Sequence, residues 1–148
     1  AETLNGYAPP LHRCELVATL DGVEYINDSK ATNLHALQAA LCSLDRPTVL
    51  IAGGKEKGLD YRPLLPLVVE RVEAVVVFGE IGERLCGLLS EVVPTSVAAS
   101  LEEAVEAART AARPGGTVLF SPGTSSFDMF SGYEERGEAF RAAVKSLK

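Results

Sequence analysis

Val23 and Tyr25 alternate with Gly22 and Glu24, the period-two pattern of a half-covered β-strand. An earlier strand is expected from roughly Cys14 to Thr19. Leu20-Asp21-Gly22 then supplies a hairpin turn into the second strand, Val23–Asn27, so these two strands should be antiparallel. Past residue 27 the period changes. Leu34, Leu37, Leu41 and Leu44 recur every three to four positions, as on one buried face of a helix, with Thr32 or Asn33 as its N-cap. Strand-like and helix-like patterns alternate from there. Thr48–Ala52 and Ala74–Phe78 are continuous apolar runs rich in β-branched residues, the mark of strands buried on both faces. Thr117–Phe120 reads the same way, and Thr95–Val97 is a weaker strand.

The expected helices run from Arg62 or Pro63 towards Glu70, from Ile81 to Leu89, and from Ala104 to Ala112 behind a Ser100-Leu101-Glu102-Glu103 capping box. Pro66 lies inside the first of these patterns, where proline is unwelcome. A last helix is expected from Met129 or Phe130 onwards, with Phe140, Val144 and Leu147 on one face. The alternation predicts a Rossmann-like, doubly wound α/β domain with a mostly parallel sheet of about six strands and an antiparallel N-terminal strand. Residues 1–10, with Gly6 and Pro9-Pro10, read as a lead-in, and 11–148 as the domain.

Composition narrows the partners. The 148 residues carry a net charge of −6 and no basic stripe, which argues against nucleic acid or an anionic membrane surface. No apolar run approaches the roughly 20 residues of a membrane span. Cys14, Cys42 and Cys86 are odd in number and widely spaced, and suggest buried, reduced thiols in a cytoplasmic protein.

The unusual chemistry sits at strand ends, where ligands bind in such sheets. Asp28-Ser29-Lys30-Ala31-Thr32-Asn33 places an acid, hydroxyls, an amine and an amide on a strand-to-helix turn. In Gly53–Gly58 paired glycines let the backbone approach a ligand, and Lys55 or Lys57 supplies positive charge. Ser121-Pro122-Gly123-Thr124-Ser125-Ser126 is a hydroxyl-rich turn after the last strand. Together the three suggest one shared anionic ligand. The chain contains no P-loop, no Gly-x-Gly-x-x-Gly fingerprint and no Gly-x-Ser-x-Gly elbow, so nucleotide hydrolysis by a P-loop, dinucleotide binding and Ser–His hydrolysis lack support. His35, one turn into a helix, reads as a surface or packing residue.

These turns resemble the UDP-N-acetylmuramoyl-L-alanine–D-glutamate ligases, the D-glutamate-adding Mur ligases of peptidoglycan synthesis. The likeness rests on Asp28 to Asn33, Gly53-Gly54-x-x-Lys57, Ser121-Pro122 through Ser126-Phe127-Asp128-x-Phe130, and Tyr133-Glu134-Glu135-Arg136-Gly137-Glu138-Ala139-Phe140. It spans the whole chain but only the family's C-terminal domain, so the UDP-binding and central ATPase domains would lie outside this chain. The resemblance implies that Thr32, Lys57, Ser126 and the backbone of Phe127 hold the carboxylates of D-glutamate, with Tyr133 lining the pocket. It puts Lys30, as the catalytic group, where amino acid meets phosphates. It sets Arg13 and Asp28 against the phosphate and ribose of ATP, with His12 beside them. No metal ligand is expected in this domain. ATP and Mg2+ would serve the full-length enzyme, with neither bound by this domain alone, which should be inactive by itself. The other implied partner is UDP-N-acetylmuramoyl-L-alanine, and the enzyme is expected to be a monomer. The family reads Leu-Pro where this chain has Pro10-Leu11. Two alternatives remain: a stand-alone α/β module for a small acidic ligand, and the equivalent domain of a folylpolyglutamate-type ligase.

Overall fold

The computed structural model describes residues 14–55, 58, 60–124 and 131–147. The chain begins with a hairpin of β1 (Glu15–Leu20) and β2 (Val23–Asn27), paired antiparallel with Leu20 opposite Val23. Only Asp21 and Gly22 form the loop. Both have positive φ (53° and 81°), the turn hand that matches the twist of the flanking strands. The remaining strands β3 (Thr48–Gly53), β4 (Val72–Phe78), β5 (Thr95–Val97) and β6 (Thr117–Phe120) are parallel, in the sheet order β1-β2-β6-β3-β4-β5. The expected mostly parallel sheet of six strands is observed.

Right-handed crossovers explain how the helices divide between its two faces. The chain moves outward through α1 (Leu34–Cys42), α2 (Leu65–Arg71) and α3 (Gly82–Leu89), which all lie on one face. It then reverses from β5 to β6, so α4 (Leu101–Ala111) crosses on the other face, where α5 (Tyr133–Lys145) joins it. The strands serve both layers by alternation. Leu50 and Ala52 of β3, Val75 and Val77 of β4 and Leu119 of β6 pack under α1–α3. Val49, Ile51, Val76, Phe78, Val118 and Phe120 pack under α4 and α5. Phe120 stacks on Phe140 of α5 with ring centroids 4.9 Å apart.

The caps follow the sequence closely. Asn33 accepts from the Ala36 N–H at 2.8 Å, and Ser100 Oγ from the Glu103 N–H at 3.1 Å. The Glu103 carboxylate returns to the N–H of Ala99, one residue before the cap itself. Three expectations need correction. The helix around Pro66 is split into a 3-10 turn, Arg62–Leu64, and then α2, which leaves Pro66 in the first turn of α2, where a missing N–H costs nothing. The last helix starts at Tyr133 rather than Met129 or Phe130, behind a Gly132 N-cap. There Glu135 accepts from the Ser131 N–H at 2.5 Å and its hydroxyl at 3.0 Å, and the backbone bond holds the Glu135 carboxyl below its usual value. Finally, none of the cysteines is buried: Cys14 and Cys42 are exposed and Cys86 is half-buried, and none is in a disulfide among the described residues. Cys42 and Cys86 each follow a buried leucine by one helical position, which turns them roughly 100° away from the core.

Candidate functional site

β6 lies between β2 and β3, yet the helix after β6 covers the opposite face from the helices after its two neighbours. Connections that part in this way leave a crevice outside the carboxyl ends of the strands. The three chemistry-bearing turns leave the sheet at this place, and hydrogen bonds join them. Asp28 N–H donates to Phe120 O at 2.7 Å, and Ser121 N–H to Ile51 O at 3.1 Å. Gly53 N–H donates to Pro122 O at 3.2 Å and Gly123 N–H to Ala31 O at 2.9 Å, while the Thr124 hydroxyl donates to Lys55 O at 2.8 Å. The close approach needs glycine. Gly53 has φ +131°, and a Cβ there would stand 2.0 Å from the carbonyl oxygen of Phe78.

Asp28 is only 4% exposed. Its Oδ1 accepts from the Cys14 N–H at 3.1 Å and its Oδ2 from the Ser121 hydroxyl at 2.8 Å, which fixes the plane of the carboxylate. Lys30, two residues on, is half-buried with Nζ 5.8 Å from the centre of the Tyr133 ring, so a cation–π contact joins α5 to the first turn. A cleft of about 360 Å³ opens beside them, lined by Cys14, Asp28, Lys30, His35, Ala36 and Ser43 among others. His35 is exposed on its rim, a surface residue as expected. Thr32 is half-buried immediately before the Asn33 cap. Lys55 is exposed, with Nζ 4.0 Å from a carboxylate oxygen of Glu80.

Thus Asp28, Lys30 and Tyr133 are brought together. His12, Arg13, Lys57, Ser126 and Phe127 lie outside the described residues. Among the described residues, no group of three or more His, Cys, Asp or Glu side chains could hold a metal ion.

Two residues of the crevice, Ser29 and Arg136, lie within stretches quoted from the sequence but were given no individual role there. Arg136 is fully buried; its Nε donates to Ser29 Oγ at 3.0 Å and its Nη2 to Ser29 O at 2.8 Å. The signal was present: Arg136 stands four residues before Phe140 and seven before Ala143, on the buried stripe of α5. Ser29 is likewise buried, and its hydroxyl donates to Tyr133 O at 2.8 Å.

Fold and crevice together define a doubly wound α/β domain whose polar groups converge at the carboxyl edge of its sheet. The chain matches the family described as "Mur ligase, glutamate ligase domain" over residues 12–124, and it belongs to that family. It is 53% identical over 97% of its length to the UDP-N-acetylmuramoylalanine–D-glutamate ligase of Geobacter metallireducens, of which it covers 32%. It is 51% identical over 99% of its length to the enzyme of the same name from Salinibacter ruber, again covering 32%. The chain therefore spans about a third of the length of these curated relatives. Among solved structures, E. coli FolC in complex with ADP, without folate substrate, superposes with TM-score 0.62 at 23% identity, over 91% of this chain and 32% of that one. A domain from a putative UDP-N-acetylmuramate:L-alanyl-gamma-D-glutamyl-medo-diaminopimelate ligase of Haemophilus ducreyi gives TM-score 0.61 at 13% identity, over 89% of this chain and 99% of that one.

Proposed function

We propose that this chain is the amino-acid-binding domain of an ATP-dependent ligase that joins D-glutamate to UDP-N-acetylmuramoyl-L-alanine in peptidoglycan synthesis. The supporting observation is the union of the turns after β2, β6 and β3 at one crevice, in a chain with curated relatives of that name at over 50% identity. Residues 1–10 act as the lead-in and 11–148 as the domain. The UDP-binding and ATPase domains belong to other parts of the whole protein. That protein works in the cytoplasm; no helix among the described residues is long and apolar enough to cross a membrane.

D-glutamate carries two carboxylates, so its pocket needs positive charge and several fixed donors. In this reading Lys57, Thr32, Ser126 and the Phe127 backbone supply them, with Tyr133 as a wall. The Lys55–Glu80 contact favours Lys57 as the ligand lysine, because Lys55 already faces a carboxylate. Lys30 lies where the amino acid meets the phosphates. Asp28 presents a carboxylate, held in a fixed plane, to the ribose hydroxyls. Arg13, which adjoins Cys14 in the chain, reaches a phosphate, with His12 beside it.

Lys30 and Asp28 both line the cleft; in this reading they meet one edge of ATP, and the several charges of the triphosphate require the cradle of another domain. Magnesium would be held with the phosphates there. In the reaction the D-glutamate nitrogen attacks the acyl carbon of an L-alanyl phosphate. A C–N bond forms, the C–O bond to phosphate breaks, phosphate departs and the nitrogen loses a proton. This domain's share is orientation, which is worth several kcal/mol of barrier.

The test is phosphate release from ATP by the full-length protein. Release should require both D-glutamate and UDP-N-acetylmuramoyl-L-alanine. Equal release with L-glutamate, or with no amino acid, would overturn the reading.

A further inference from the structure

We infer that Arg136 is a positioning residue: it fixes the turn that carries Asp28 and Lys30 against the first turn of α5, and so sets Lys30 relative to Tyr133. The inference rests on the proposed ligase reading for its consequence in catalysis, though not for its geometry.

A fully buried guanidinium is costly to desolvate. If α5 only had to cover the sheet at this point, an apolar side chain would do so without that cost. What an apolar side chain cannot do is hold Ser29 at two points. The planar fork of Arg136 meets Ser29 Oγ at 3.0 Å and Ser29 O at 2.8 Å, which sets both the position and the tilt of that residue. The Ser29 hydroxyl, its acceptor side taken, donates its own proton to Tyr133 O at 2.8 Å. Arg136 and Tyr133 lie three residues apart on one helical turn, so a single turn of α5 grips Ser29 from two directions. The guanidinium carbon also lies 6.0 Å from the centre of the Phe120 ring, which stacks on Phe140, so the fork rests on rigid core.

The residues flanking Ser29 are Asp28 and Lys30. Asn27 extends the clasp: its Oδ1 accepts from the Ser29 N–H at 3.1 Å, and its amide contacts Gly137 O at 3.4 Å. The buried clasp thus fixes the backbone from which Lys30 reaches to within 5.8 Å of the Tyr133 ring centre.

The experiment uses the full-length protein with Arg136→Lys, which keeps the charge but loses the fork, and Ser29→Ala, which removes the shared hydroxyl. Amide exchange of residues 28–31 should become at least about tenfold faster in both, while exchange in β3 and β4 stays at the parent rate. In steady-state kinetics kcat should fall roughly ten- to a hundredfold, and KM for ATP should change by less than kcat does, because on the proposed reading this turn meets only one edge of the nucleotide. Local exchange at the parent rate in Ser29→Ala would overturn the inference even if Arg136→Lys failed to fold. So would parent-like kcat in either folded variant of an active enzyme. If the parent shows no D-glutamate-dependent phosphate release, the ligase reading fails, and the exchange measurement still decides whether Arg136 holds the turn.

Discussion

The Ser121 hydroxyl donates to Asp28 Oδ2 across 2.8 Å, joining the ends of β6 and β2 through side chains 93 positions apart. Both residues are buried, so the bond is part of what holds the inserted parallel strand β6 in register with β2 at the crevice.

Replacing Ser121 by alanine leaves a buried carboxylate one donor short. Hydrogen bonds to charged groups contribute about 1.5–3 kcal/mol, so Ser121→Ala should lower unfolding stability by that amount. Urea unfolding followed by circular dichroism reads it as an earlier midpoint at unchanged slope. A midpoint equal to the parent's would mean that this bond contributes no net stability.

Much of this fold was legible in the chain because local signals agreed with the global arrangement. Asp21-Gly22 marks the hairpin, Asn33 and Ser100 mark helix starts, and Thr48–Ala52 and Ala74–Phe78 announce strands covered on both sides. The insertion of β6 between β2 and β3 was not legible, because no local pattern states which neighbour a buried strand will choose. The start of α5 is hidden for a similar reason: its N-cap is Gly132, which has no capping side chain, and Glu135 reaches back to the residue before it, Ser131, a bond visible only once the backbone is placed. In the site, the turns bearing Asp28, Lys30 and Thr32 could be found from their residue types. The stitching by Ser121, Gly123 and Thr124 could not, since it depends on strand order. Arg136 lay between these cases, a charge in view on an apolar stripe whose partner was not.

Glu135 offers a pH test. The Ser131 backbone N–H, and then its hydroxyl, favour the ionised form and depress the carboxyl. A depressed acid adds stability above its unfolded value, about 4.3 for glutamate, and loses it as pH falls through the lower folded value. The Ser131 amide resonance should therefore titrate with a midpoint below the ordinary glutamate range. Glu135→Gln should abolish that titration. A midpoint at or above about 4.3 would contradict the cap.

Gly53 tests the close approach of the second turn. Alanine there would need a strained positive φ of 131° and a Cβ 2.0 Å from the Phe78 carbonyl oxygen. Both the overlap and the strain are backbone-fixed, so relief requires β3 and β4 to shift. Gly53→Ala should cost roughly 2–4 kcal/mol, measured as a fall in thermal midpoint. Gly87, whose added Cβ meets nothing within 4 Å, is the control and should tolerate alanine. Equal melting of the two variants would show that the strand ends are more pliable than their geometry indicates.

The sharpest test separates the two lysines of the same turn. If Lys57 holds a carboxylate of D-glutamate, Lys57→Ala in the full-length enzyme removes a charge-assisted contact to a partly desolvated anion. That costs about 1.5–3 kcal/mol, or roughly ten- to a hundredfold in kcat/KM for D-glutamate. The KM for ATP should change little if, as proposed, the triphosphate is held by another domain. Lys55→Ala should do less, since its ammonium is 4.0 Å from Glu80, an exposed pair of the kind worth at most about 1 kcal/mol. Arg13→Ala should show the reverse selectivity, impairing ATP use more than D-glutamate use. Steady-state kinetics with each substrate varied in turn distinguishes the three variants. Parent-like kcat and KM for D-glutamate in Lys57→Ala would remove Lys57 from the pocket, and a large loss in Lys55→Ala alone would transfer the role to Lys55.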